Sequence, residues 1–481
     1  MTSGNTGWNF DNSYARLPDA LFTPSEPEPV QAPQLTIFNR PLAQSLGLLV
    51  ENPETPLWAE IFAGNRIPAG AGPIAQAYAG HQFGHFTILG DGRAILLGEQ
   101  ITPEGLRMDV QLKGSGRTVY SRRGDGRAAL GPMLREFVIS EAMHALGIPT
   151  TRSLAVALTG ERVQREQALP GAVLTRIASS HIRVGTFEYA ARLGQPGVLE
   201  ALADHTIRRH YPELFDTENR YVALLHAVIE RQASLIAKWM NVGFVHGVMN
   251  TDNMALSGET IDYGPCAFLD TYDPATAFSS IDHNGRYSYI NQPGIAQWNL
   301  ARLAETLLSL LHPDEEQSIL IAKEALEGFT GKFQTFQLAG MRSKLGLFNE
   351  EPGDAQLAAD LLEWMHSSRA DFTNTFRTLD PENAHAAIPE SWTRLWNARL
   401  ARQPQAPDEI RKKMLASNPA IIPRNHKVEE ALATATESGN LNTIERLLGV
   451  LNDPFAEQPA HSEYSSPPPA GSPAFQTFCG T

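Results

Sequence analysis

Asn253 and Asp262 stand nine residues apart, and each offers an oxygen donor of the kind that holds a hard divalent cation against phosphate. Upstream, Lys113 closes an apolar run and Glu136 follows 23 residues later, an order and separation that suit a strand lysine turned toward phosphate by a helix glutamate. Arg176 and Arg183 add two guanidinium forks whose planar donors match phosphate oxygens. The turn Gly90-Asp91-Gly92-Arg93 lacks side chains at two positions, which lets backbone approach a ligand and brings Arg93 within reach of phosphate. Together these residues have the chemistry of a metal-nucleotide site.

The stretch His246-Gly247-Val248-Met249-Asn250-Thr251-Asp252-Asn253, followed by Ile261-Asp262-Tyr263-Gly264, is laid out like the catalytic and metal loops of kinases. Those loops carry an aspartate as catalytic base where this chain has Val248. Means to bind Mg-ATP are kept while the usual director of the γ-phosphate is absent, so a changed reaction is expected. Arg176 points the same way. Its strand runs toward the hinge where adenine docks in such folds, a place normally lined by apolar groups, and cleft-facing arginines there would put the triphosphate where adenine is expected. Arg122, Arg123, Asp125, Gly126 and Arg127 crowd one further loop.

Two tempting patterns lead elsewhere. Gly114-Ser115-Gly116-Arg117-Thr118-Val119 fails the dinucleotide fingerprint at Val119. His81-Gln82-Phe83-Gly84-His85 has the histidine spacing of a zinc helix, but Gln82 replaces the glutamate and Gly84 weakens a helix, so structural hydrogen bonds are expected of these histidines.

The elements that position these residues read as an α+β, protein-kinase-like, two-lobed fold. A Pro-rich extension (1–60) with little regular structure of its own precedes a strand-rich lobe (61–180). There Ala94-Ile95-Leu96-Leu97-Gly98, Asp109 to Gly114 and Ala172 to Ile177 read as strands, and Pro132 to Leu146 as a helix closed by Gly147. A helical lobe with the metal loop (181–354) follows, with helical patterns from Tyr221 to Met240 and from Trp298 to Leu311. A further helical region (355–464) leads to a Pro/Ser tether and tail (465–481) ending in Phe478-Cys479-Gly480-Thr481. The 481-residue length allows several packed units. A formal net charge of -14 argues against nucleic-acid or anionic-membrane partners. Neither a leader pattern nor a long apolar run is present, so a cytoplasmic location is expected. Two cysteines, Cys266 and Cys479, cannot form a disulfide framework.

Tyr78 to Phe86, Gln111 to Thr118, Ser121 to Arg127 and Asn250 to Met254 together resemble the selenoprotein O (SelO, bacterial YdiU) family, over nearly the whole chain. That resemblance implies a kinase-like protein that binds ATP in a flipped orientation and transfers AMP, with UMP from UTP as a variant, to Ser, Thr or Tyr hydroxyls of proteins. It further implies nucleotide contacts from Gly90, Gly92, Arg93, Lys113, Asp125, Gly126, Arg176, Arg183 and Asp262. Asn253 and Asp262 would hold Mg2+, with Mn2+ as the alternative, Asp252 would accept the proton, and Glu136 would orient Lys113. Animal members carry selenocysteine at the third position from the end, where this chain has Cys479, and this implies a redox disulfide between Cys266 and Cys479. Protein substrates and ATP are the expected partners of a monomer. The competing functions are an ATP-dependent phosphotransferase using Asp252 as a displaced base, and a non-catalytic ATP-binding scaffold.

Overall fold

The computed structural model describes residues 6–381, 387–469 and 471–477. In chain order its elements begin with β1 (Phe22–Pro24), β2 (Gln34–Phe38), α1 (Arg40–Ser45), α2 (Pro56–Ala63), β3 (Ile74–Gln76), β4 (Ala79–Gln82), β5 (His85–Ile88), β6 (Ala94–Ile101) and β7 (Arg107–Lys113). Next come β8 (Ala128–Ala129), α3 (Leu130–Ala145), β9 (Arg152–Gln164), β10 (Ala168–Ala178), α4 (Val184–Leu193), α5 (Val198–His210) and α6 (Arg220–Val242). The remainder comprises β11 (Phe244–Val245), β12 (Ala267–Phe268), α7 (Gln292–Leu311), α8 (Glu315–Lys344), α9 (Asp354–Ser368), α10 (Phe372–Arg377), α11 (Glu390–Leu400), α12 (Pro407–Ser417), α13 (Asn425–Ser438) and α14 (Asn442–Leu451).

Eight strands form one antiparallel sheet in the order β1-β3-β6-β7-β10-β9-β2, with β8 beside β10. Residues one apart on a strand face opposite sides, and β7 uses this fully. Val110 and Leu112 turn into an apolar core with Trp58 and Phe62 of α2 and with Val173 and Ile177 of β10. Asp109, Gln111 and Lys113 share the other face, and all three are buried. On β10, Leu174 lies opposite Lys113 and Arg176 opposite Gln111. The pleat thus gathers a polar row on the face turned to the helices.

The expectation of an extension with little regular structure is corrected. The first 60 residues hold helix α1, the start of α2 and both edge strands of the sheet, β1 and β2. The prolines mark boundaries: Pro41 and Pro56 sit in the first turns of α1 and α2, where a missing N–H is not needed.

Helix α3 begins at Leu130, two residues before the expected Pro132, which its first turn accommodates. Helix α6 closes on Gly243 in the left-handed region at φ 73°. Helix α7 starts at Gln292, six residues ahead of the Trp298 boundary, because Pro293 opens it and Ala296 continues its buried stripe. The C-terminal helices α13 and α14 pack against α3, bracing the helix that carries Glu136. The tail is less free than a tether: Thr477 donates its amide to the Phe278 carbonyl (2.8 Å) and its hydroxyl to the Pro265 carbonyl (2.9 Å), and Phe475 packs on Phe278. Cys479 lies outside the described residues.

Candidate active site

Asp262 is the hub of the site. It sits at φ 60°, a left-handed conformation that aspartate tolerates better than most residues, and three cations converge on its carboxylate. Lys113 Nζ lies 2.8 Å from Oδ1, Arg176 Nη1 2.5 Å from Oδ1, and Arg183 Nη1 3.1 Å from Oδ2. Burial by itself would raise its pKa, but Arg176, Lys113 and Arg183 outweigh that and hold the carboxyl well below the usual range. Glu136 shares two of the same cations, with Oε2 2.6 Å from Lys113 Nζ and Oε1 3.2 Å from Arg176 Nη1. The lysine and glutamate read from the sequence are therefore in direct contact.

Asp252 rides on a short turn, Thr251–Asn253. It is buried, and its Oδ1 has no hydrogen-bond partner among the described residues. Burial pushes its pKa up to about 6 against the pull of Arg183. Gly80 makes room for it, since a Cβ there would sit 2.2 Å from Asp252 Oδ1. The turn is fastened from two sides: His81 N donates to Thr251 Oγ1 (2.7 Å), Thr251 Oγ1 donates to Glu188 Oε2 (2.6 Å), and Glu188 Oε1 meets His81 Nδ1 (2.5 Å). His81 thus belongs to a strand and a carboxylate network. Arg183, just ahead of α4, donates to the Asp252 carbonyl (2.9 Å) and lies 4.6 Å over the Tyr78 ring.

Asn253 donates its side-chain amide N–H to the Val248 carbonyl (2.9 Å), which leaves the amide oxygen as the end that could meet a cation. With the Asp262 carboxylate this is a hard-oxygen donor pair on one cavity wall. Such a set fits Mg2+ or Mn2+, which keep waters and phosphate oxygens as their remaining ligands. Among the described residues no cluster of three or more His, Cys, Asp and Glu side chains could hold a metal alone.

Arg93, Lys113, Arg176, Arg183, Asp252 and Asp262 line one cavity of about 450 Å³, whose wall also includes Val248 and Asn253. A second cavity, of about 780 Å³, is lined by Gly90, Arg122, Arg123, Asp125 and Gly126, and the two share Tyr78, Gly92 and Arg93. Asp125 is engaged by Arg165 at 2.8 Å. The glycine turn has a structural reason of its own: Gly90 lies at φ 114°, and a Cβ there would meet the Tyr120 ring at 2.4 Å.

Cys266 is buried beside this region, and burial, only partly offset by Arg135, pushes its thiol up to about 12. Sequence reasoning missed Tyr78, Asp91, Gln111, Glu188 and Thr251. Only Gln111 had a legible signal, since it shares Lys113's face by strand alternation.

The described helices include none long and apolar enough to cross a membrane. Residues 6–452 match the family model described as "Protein adenylyltransferase SelO". The chain is 60% identical to a protein nucleotidyltransferase YdiU of Brevibacillus brevis over 481 residues, 99% of this chain and 98% of that one. It is 59% identical to the protein of that name from Anoxybacillus flavithermus, covering 99% and 100%. The corresponding protein from Syntrophotalea carbinolica is 57% identical, with 100% and 99% covered. With a family match over residues 6–452 and relatives this similar over nearly all of both chains, the chain belongs to the SelO family.

Proposed function

We propose that this protein, on a kinase-like two-lobed scaffold, transfers AMP from ATP to Ser, Thr or Tyr hydroxyls of other proteins. The observation that carries the reading is the meeting of Lys113, Arg176 and Arg183 on Asp262 at the floor of one cavity, with Val248 where a kinase would have its base. In this reading the three cations move from Asp262 to the phosphates as the nucleotide enters. The adjoining cavity of Arg122, Asp125 and Gly126 takes the nucleoside, so the triphosphate lies deep.

The acceptor hydroxyl oxygen forms a bond to the α-phosphorus while the bond to the β-phosphate bridging oxygen breaks, and pyrophosphate leaves. Asp252 takes the hydroxyl proton on its free Oδ1. Its elevated pKa suits a base working near neutral pH. Asn253 and Asp262 would hold Mg2+ or Mn2+, which when bound supplies charge neutralisation at the phosphates. Once drawn to the phosphates, Arg176 and Arg183 stabilise the charge developing on the phosphoryl oxygens. UTP is the second donor in this reading. The cytoplasm is the working compartment and a monomer the working unit.

Redox control fits the same layout. Thr477 is fastened to Pro265, the residue before Cys266, so the tail leads toward the metal loop. We assign a disulfide between Cys266 and Cys479, formed by exchange with a small-molecule disulfide that leaves as two thiols. Because the buried Cys266 thiol resists ionisation, Cys479 is the thiolate that attacks first.

ATP labelled at the α- or the γ-phosphate tests the function. Label in protein from the α-position only is expected. Label from the γ-position only would assign the chain to the phosphotransferases, and none from either to the scaffolds.

A further inference from the structure

Arg176 is almost wholly buried near the C-terminal end of β10, and its guanidinium is divided between two sets of partners. Nη1 faces Asp262 and Glu136. Nε and Nη2 both donate to a single atom, Gln111 Oε1, at 3.2 and 2.5 Å. Gln111 is the cross-strand neighbour of Arg176 in the β7–β10 register and is itself fully buried. Its Nε2 donates to Asp91 Oδ2 at 3.3 Å, and the same oxygen accepts the Gln76 amide at 3.1 Å. Asp91 lies between the two glycines of the turn that lines the same cavity.

An arginine only donates and a carboxylate accepts, so a side chain bridging them must accept at one end and donate at the other. An amide does both. Leucine does neither, and an ionised glutamate lacks the donor. Without this clamp the fork would be free to turn both of its arms onto Glu136 and Asp262, since bidentate pairing with a carboxylate is its strongest neutralising contact. We propose that Gln111, itself held by Asp91, is a positioning residue that keeps Arg176 spread across the cavity floor and so selects the phosphate end of the nucleotide for the deep position. This rests on the reading of Arg176 as a phosphate contact.

The test uses the full chain with Mg2+ and α,β-methylene-ATP, which cannot transfer AMP, and adenosine as the phosphate-free control. Gln111→Leu should lose about ten- to a hundredfold in affinity for the triphosphate, the range for a charge-assisted hydrogen bond, with adenosine affinity unchanged. Arg176→Met should lose at least as much, and adding Gln111→Leu to it should cost no more than about twofold further. Gln111→Glu, nearly isosteric and suited to the same packing, serves if the leucine variant does not fold. It should also weaken the triphosphate selectively, because it cannot hold Asp91 and brings a carboxylate to the phosphate floor. Equal losses for adenosine and the triphosphate, or full additivity with Arg176→Met, would overturn the role of Gln111. Unchanged triphosphate affinity in Arg176→Met would instead overturn the phosphate reading itself.

Discussion

Lys113 Nζ and Asp262 Oδ1 are in direct contact at 2.8 Å, so the phosphate-seeking cation and the candidate metal carboxylate neutralise each other in the protein alone. Arg176 and Arg183 reinforce the arrangement. A divalent cation arriving first meets a carboxylate already surrounded by positive charge. One arriving with the nucleotide finds those cations drawn off to phosphate. Mn2+ alone should therefore bind weakly, and a non-transferable ATP analogue should tighten it by about tenfold or more. Electron paramagnetic resonance of free Mn2+ reads this without turnover, and equal Mn2+ affinity with and without the analogue would contradict it.

Neutralising Lys113 or Asp262 should slow transfer about 10²- to 10³-fold at saturating nucleotide, the usual loss for a preorganised electrostatic contact. Asp262→Ala should also weaken metal-dependent ATP binding, while Lys113→Ala acts mainly on transfer. Near-normal rates in both would show that the cluster lies outside the chemistry.

Gly80 touches Asp252 so closely that alanine there must displace the carboxylate. Gly80→Ala should lower transfer about a hundredfold, as expected for a catalytic group moved by about 1 Å, with ATP affinity held within about twofold. Titration calorimetry beside single-turnover transfer separates the two. A fall in both together would mean that the whole site had shifted.

Lys344 is buried over the Phe376 ring, 4.1 Å from its centroid, and burial lowers its pKa to about 7. Unfolded, the same group titrates near 10.5. Between those values the unfolded chain binds more protons, so stability should rise with pH from about 7 to 10.5. Below about 7 the burial penalty is fully in force. Lys344→Met should remove that slope and stabilise the protein at neutral pH by on the order of 2 kcal/mol, read by chemical denaturation across pH. Parallel stability profiles for the two proteins would show that Lys344 is charged and solvated in the native state.

The contact between Lys113 and Glu136 was legible because each side chain sits on an element with a clear periodic signature, whereas Asp262 stands in an irregular loop and was legible only through the spacing of its motif. Gln111 was half-legible, since alternation gave its face but not its partner 65 residues away. The fastening of the Asp252 turn through Thr251 and Glu188 was not, because it depends on how α4 lies against β4, a packing relation with no local pattern. The regular structure of residues 22–63 was hidden for a related reason. Short edge strands take their order from neighbours far along the chain, and prolines at helix starts look like breakers when read alone.

Strands β1 and β2 close opposite edges of the sheet, yet their partners are β3 and β9. During synthesis the first 38 residues leave the ribosome early and stay unpaired on the β2 side until residues 152–164 have emerged. The sheet that places Lys113 and Arg176 is therefore completed late, after β9 and β10 are both available. Long-range pairing of this kind slows folding, and it leaves the nascent chain with open strand edges for much of its synthesis. A shortened N-terminus would make that transient exposure permanent.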